Sequence, residues 1–371
     1  MRLFPCLVRG AVVLGAVVFS PSVARAQLLF NFIDPSNIKT NNPVAYNAIV
    51  QAGARWSALF SDSMTVNIEI TMPPLADDTN GSARTFKDPY SYADVRKALF
   101  RDIKSQDDIS STLDLPQGSS VNMLLNFTNN NPKGAGSGNA YLDDDGDDNN
   151  STILMTNANA KALKLRDGTD SALDAEIRFN SKKTFDFDPS NGIAKDQLDF
   201  VGIATHEIGH ALGFISGVDK LDRMIQTGVG PDDSLPYVST LDLFRFSKAS
   251  VLNGVGVIDW TVDNRIKYFS VDGGITAISE FSTGRINGDG SQASHWSDDQ
   301  TLGIMAPGGG PGDLLRISRN DLRAFDVIGY DLVTPEPGTW ALIGACTLAS
   351  AAFLKRRRKR PAAVAASGVS P

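Results

Sequence analysis

"KDQLDFVGIATHEIGHALGF", residues 195–214, is the stretch from which the rest of the chain can be read. Asp196 or Asp199 can cap the start of a helix, and Gly213 can end it. Between them the run is apolar and small apart from Thr205, His206, Glu207 and His210. Residues four apart share a helical face, so both imidazoles can address one ion. Glu207 stands beside the first histidine but off that line. It is placed to take a proton from a water rather than to bind metal. Only three histidines occur in 371 residues, and two of them fall in this motif. The segment reads as a helix on its own evidence, which is the context the motif requires.

Two imidazoles leave a zinc ion under-coordinated. A catalytic site uses a third protein ligand and keeps the fourth position open. The remaining histidine is His295, in "QASHWSDDQTLGIMAP" (292–307). A thermolysin-like arrangement would instead use a glutamate. After His210 only Glu280 and Glu336 occur, and Glu336 lies in a terminal signal, so Glu280 in "GITAISEF" is that alternative. Asp289 and Asp298 flank His295 in sequence and are candidates to orient it from behind.

Taken together, "HEIGHALGF", a long insertion, "SHW" and then "IMAP" resemble the leishmanolysin-like metzincins. Most metzincins place their third ligand six residues after the second, where this chain has Ser216. The leishmanolysin-like branch places it far downstream, followed by tryptophan and shortly before a methionine turn. The resemblance implies His206, His210 and His295 as zinc ligands, Glu207 as general base and Met305 as the methionine beneath the metal. It also implies that Gly213 lets the chain leave the helix sharply. The disulfides of that family have no counterpart here. "SRNDLRAFDVIGYDL" (318–332) is similar to the closing helix of bacterial and matrixin-type metzincins.

The two ends read as address labels. Arg2 and Arg9, an apolar run over 11–19 and Ala24-Arg25-Ala26 have the layout of a secretory signal peptide covering residues 1–26. At the other end, Pro335-Glu336-Pro337 precedes an apolar stretch over 340–354 and six consecutive cations, Lys355–Arg360. This resembles a PEP-CTERM sorting signal over 335–360, followed by a tail over 361–371. It implies an exosortase-type processing enzyme as partner and transient membrane attachment through that helix, at the cell surface or extracellular matrix. A permanent tail anchor is the plainer alternative. Losing Arg2, Arg9, Arg25 and the six tail cations takes Lys plus Arg from 35 to 26, and losing Glu336 takes Asp plus Glu from 42 to 41, leaving about −15. Such a surface repels nucleic acid and anionic lipid. Both cysteines, Cys6 and Cys346, fall in these terminal segments, so the body has neither a disulfide nor a catalytic thiol.

The body, 27–334, has ordinary globular composition: the whole chain is 42% hydrophobic and 21% charged. "NPVAYNAIVQAGARWSALF" places Ala45, Ala48, Ile49, Ala52, Trp56, Leu59 and Phe60 on one helical face. "TVNIEI" alternates as a half-buried strand, and Ser91 with Asp94 predicts a helix start whose buried face uses Val95, Ala98, Leu99 and Ile103. Further strands are predicted over 121–127, 151–156 and 175–180. Residues 214–294 are Gly-, Asp- and Ser-rich with short strand-like pieces, "YVSTLDLFRFS" and "KYFSV". Near the end, Ser318 and Asp321 predict a helix cap, with Leu322, Phe325, Val327 and Ile328 on the apolar side and Gly329 as the stop. The expected fold class is α+β. A twisted mixed sheet carries two packing helices, the second bearing HExxH, in an N-terminal lobe (27–213). A loop-rich C-terminal lobe (214–334) follows.

"LDDDGDDNNST" (142–152) suggests calcium, but an EF-hand loop would need an acid where Tyr141 stands, so a solvated acidic turn is the expectation. The functional expectation is an exported zinc metalloendopeptidase acting on protein or peptide. Its activity should fall in acid as the imidazoles protonate. Two rivals belong to other classes: a non-catalytic zinc-containing surface or matrix protein, and a peptide- or polysaccharide-binding module. The carboxylate of Glu207 speaks against the first. The lack of an aromatic binding stripe speaks against the second.

Overall fold

The computed structural model describes residues 27–333, so the segments expected to be a signal peptide and a sorting signal lie outside the described residues. The class is α+β. Four strands form the principal sheet: β1 (Leu28–Ile33), β2 (Met64–Thr71), β3 (Gly81–Thr85) and β4 (Ala175–Phe179), in the order β1-β2-β4-β3. The first three in that order run parallel, and β3 is an antiparallel edge strand with Ala83 opposite Ile177. In β2, Val66, Ile68 and Ile70 are fully buried, as the alternation of "TVNIEI" predicts.

Two helices lie on this sheet and against each other, α1 (Pro43–Ser57) beside β1 and α2 (Phe200–Leu212) beside β3 and β4. Pro43 at the first position and the Asn42 side chain accepting the Ala45 N–H start α1. Trp56, at its end, donates its indole N–H to the Thr205 carbonyl at 2.9 Å and so ties the two helices together. Asp199, not Asp196, caps α2 by accepting the Gly202 N–H at 2.8 Å; its other oxygen accepts Leu315 N–H. Twelve of the thirteen α2 residues are buried and His210 is half-buried, so this is a central helix, apolar on every side except where its polar residues meet the site.

Elsewhere the strand predictions come out shorter and placed differently. Residues 121–127 contribute only Met123–Leu125, and Thr152–Thr156 pairs with Lys87–Ser91 rather than joining the principal sheet. Ser91 does cap the helix Tyr92–Asp102, but Asp94 takes the Ser91 hydroxyl as well as lending its N–H, and Ile103 falls outside the helix, half-buried. A helix over Gln106–Asp114, with a Ser105–Asp108 capping box, escaped the sequence reading.

Residues 214–333 hold short pieces: α3 (Val218–Met224), small antiparallel strands at Arg245–Phe246, Lys267–Phe269 and Ser279–Phe281, and α4 (Arg319–Val327). "YVSTLDLFRFS" is mostly not strand; Leu241–Phe244 is a 3-10 turn. The closing helix forms as predicted, with the full Ser318–Asp321 box and Gly329 at φ 103° beyond it. The core is continuous across both halves. Phe325 of α4 meets Trp56 edge-on at 4.8 Å, and Phe214, just past α2, meets Trp296 at 4.9 Å. Among the described residues no helix is long and apolar enough to cross a membrane.

Candidate metal centre

His206 and His210 project from one face of α2, and the segment 292–296 brings His295 to them. The three Nε2 atoms lie 3.1 Å (206–210), 3.2 Å (210–295) and 3.2 Å (206–295) apart. Each Nδ1 faces a backbone carbonyl: Ile304 at 2.7 Å, Phe214 at 2.7 Å and Gln292 at 3.2 Å. A carbonyl only accepts, so each Nδ1 carries the hydrogen and each Nε2 presents a bare lone pair. Three lone pairs converging at this range repel one another unless a cation sits between them. A tetrahedral ion with bonds of about 2.0–2.1 Å sets its nitrogens roughly 3.3–3.4 Å apart, close to the separations found. The donor set therefore fits a metal ion. Burial lowers the pKa of all three imidazoles, that of His210 to about 3 with a further push from His206, so the ring nitrogens stand neutral and ready to ligate.

The helix supplies two ligands by its own periodicity; the third needs a scaffold. Asp219 of α3 accepts Ala293 N–H at 2.7 Å, Ser294 N–H at 3.1 Å and the Ser294 hydroxyl. Ser216, which stands six residues after His210, has its N–H on Ser294 Oγ at 2.9 Å. That position is thus clasped to the residue preceding His295. Asp321 of α4 performs the matching task below the site. Its carboxylate accepts Ile304 N–H (2.9 Å), Met305 N–H (3.2 Å), Ser318 N–H (2.6 Å) and the Trp296 indole (2.8 Å). Ile304 is the residue whose carbonyl orients His206, so Asp321 acts on that ligand through one intervening residue. Met305 is fully buried, with its sulfur against Gly209 of α2. Gly213 ends α2 at φ 122°, where a side chain would be strained and would crowd Asn159.

Glu207, one residue past His206 on α2, turns its carboxyl toward β3 along the same cleft. A Cβ at Gly81 would come within 2.7 Å of its Oε1, so β3 and the Glu207 carboxyl approach each other closely there. Burial raises the pKa of this carboxyl to about 8, against a smaller opposing pull from the Ala83 N–H. A cleft of about 920 Å³ passes over this array and is lined by His206, Glu207, His210, His295 and every residue of β3.

The other sequence candidates lie elsewhere. Glu280 is exposed on the Ser279–Phe281 strand and belongs to no metal-type cluster. Asp289 accepts Thr283 and Ser291 N–H groups and shapes its own turn; neither it nor Asp298 bonds to His295. The carboxylate that secures the His295 segment is Asp219, whose sequence context, "GVDK", carries no signal that separates it from a surface acid. Asp321 was visible only as a helix cap. The acidic turn is not simply solvated, either: Asp143 and Asp232 are buried and, with Asp145, form a second group whose oxygens lie within 4.8 Å. No known protein family matches the chain, and neither a curated protein nor a solved structure does.

Proposed function

We propose that this chain is a zinc-dependent endopeptidase, exported through its N-terminal segment and sorted through its C-terminal one by an exosortase-type enzyme. The observation that carries the reading is the convergence of three neutral imidazoles along one cleft, with the buried Glu207 carboxyl lining the same cleft. His206, His210 and His295 would hold the ion. Zinc in such a site supplies a Lewis acid that acidifies water and polarises a carbonyl.

The chain's own residues supply the rest. β3 is paired on one side only, and its residues line the cleft, so an extended peptide can lie along its open edge. That arrangement would place a main-chain carbonyl near the three imidazoles. Glu207 Oε1 or Oε2 would accept a proton from the attacking water and pass it to the departing amine nitrogen. The buried position of Glu207 fixes its rotamer and keeps bulk water from competing for that proton. The likeness to leishmanolysin-like metzincins in "HEIGHALGF", "SHW" and "IMAP" supports the same reading, with Met305 as the residue beneath the metal.

The test is Glu207→Gln in the zinc-loaded full chain, assayed on denatured protein substrates. Retained zinc with hydrolysis reduced by about 10²–10⁴-fold supports the proposal. Zinc-loaded wild type that cleaves no protein supports the non-catalytic surface protein instead.

A further inference from the structure

The described part of the chain is strongly acidic, yet the cleft is not. Arg84, Lys87, Lys220, Arg223 and Arg285 line it. Two of these cations are already neutralised. Arg84 pairs with Glu176 at 3.4 Å, and Arg285 pairs with Asp78 at 3.0 Å, near the N-terminal end of β3. Asp219, the remaining acid near the others, is turned inward to the Ala293 and Ser294 N–H groups.

That leaves Lys87, Lys220 and Arg223, none of which forms an ion pair among the described residues. All three are exposed. Lys87 follows directly on the C-terminal end of β3, two residues past Thr85. Lys220 and Arg223 are three apart on α3 and so share a face. Tyr237 completes the wall, with the Lys220 ammonium 5.6 Å from its ring centre. Burial disfavours the charge on Lys87, and Arg223 stands near enough to add to that effect. Like charges held this close cost free energy that an anion between them would recover. The cleft is therefore asymmetric: balanced at the Asp78 end and cationic at the Lys87 end.

We propose that the cleft selects peptides bearing acidic side chains on one flank of the scissile bond, received by Lys87, Lys220 and Arg223. This rests on the endopeptidase reading. A peptide extended along β3 would pass the imidazoles in mid-cleft and carry its side chains toward these three cations at one end only. Because the surrounding surface is anionic and repels such a substrate at long range, the patch acts at short range, as specificity rather than steering.

The experiment uses zinc-loaded full chain and peptides with a common neutral core, carrying Asp/Glu or Lys at successive positions on either flank. We expect kcat/KM at least about tenfold higher for acidic than for basic peptides, with the effect confined to one flank. Lys87→Glu/Arg223→Glu should invert that ratio, and Arg101→Glu, an exposed cation outside the cleft, should leave it in place. Roughly 0.5 M salt, with a Debye length near 4 Å, should compress it. In parallel, fluorescence anisotropy with zinc-loaded Glu207→Gln should show acidic peptides binding about fivefold or more tighter than basic ones. Equal rates and equal affinities for the two peptide sets overturn the proposal, as does a preference that ignores the double reversal. If the wild type cleaves nothing, the endopeptidase reading fails on its own, and the anisotropy comparison still decides the charge selection.

Discussion

The two halves of the candidate metal centre are built by different means. His206 and His210 belong to a helix, and the rise per turn sets their separation before any tertiary contact forms. His295 sits on a loop 85 residues beyond His210 in sequence. It reaches the same point only because Asp219 grips residues 293–294 and Asp321 grips 304–305 and Trp296. Local periodicity sets the spacing of its two ligands without help, whereas a loop ligand is placed at all only by buried carboxylates that bring several N–H groups to a common centre. The spacing of the helical pair should therefore tolerate damage to its neighbours better than the placement of the loop ligand, even though Asp321 also steadies the carbonyl that orients His206.

The largest effect expected on that comparison comes from removing ligands. His206→Ala and His295→Ala should each lower zinc affinity by about 100-fold or more, since both halves donate equally to the ion. Competition with a chelator measures this, and a His295→Ala protein that binds zinc like the wild type would break the three-imidazole account. Next comes Asp321→Ala, which leaves three buried donors and the part-buried Ser318 N–H without their acceptor. It should destabilise the fold by about 3–5 kcal/mol in urea unfolding. A loss under about 1 kcal/mol would mean the methionine loop is held by something else.

Asp219→Asn sharpens the contrast further. The amide keeps the shape but cannot accept from all three donors, so the loop should loosen and zinc affinity fall by roughly 10–100-fold. A matching change on the helical side, Asp199→Asn, keeps a competent cap and should leave zinc affinity within about twofold. Equal losses in the two variants would erase the distinction.

The smallest effect lies outside both halves. Asp62 and Asp102 are pushed up to about 7, first by burial and then by the neighbouring Asp331. The folded chain thus keeps protons that the unfolded chain releases above about pH 4, so these groups favour folding at low pH. That contribution is lost as pH rises from about 4 to about 7. Asp102→Asn should flatten this slope and raise stability near pH 8 by about 1 kcal/mol, read from thermal melts at both pH values. An unchanged slope would show that Asp102 ionises normally.

How much of this was legible follows the same division. The helix α2 could be read almost entire, because an acidic cap, the four-residue spacing and Gly213 are all local signals; only the choice of Asp199 over Asp196 needed the structure. The closing helix was equally plain from Ser318, Asp321 and Gly329. The segment "YVSTLDLFRFS" misled, since its alternation suits a strand. Asp242 overrides it by accepting Ser239 N–H at 2.9 Å, Gly217 N–H at 2.9 Å and the Trp260 indole at 3.1 Å, which draws the chain into a turn. Asp219 was missed for the same reason: an aspartate that binds distant backbone looks, in sequence, like one that faces water. The strand Lys87–Ser91, bearing Pro89, gave no strand signal, because its partner at 152–156 lies far along the chain.

Asp199, Asp219, Asp242 and Asp321 each join backbone from separate segments. Cross-links of that kind are assembled from charge and hydrogen rather than sulfur, and residues 27–333 contain no cysteine. The loops around the imidazoles should consequently keep their shape in oxidising and reducing surroundings alike, and no oxidase or isomerase need act before the ligands meet.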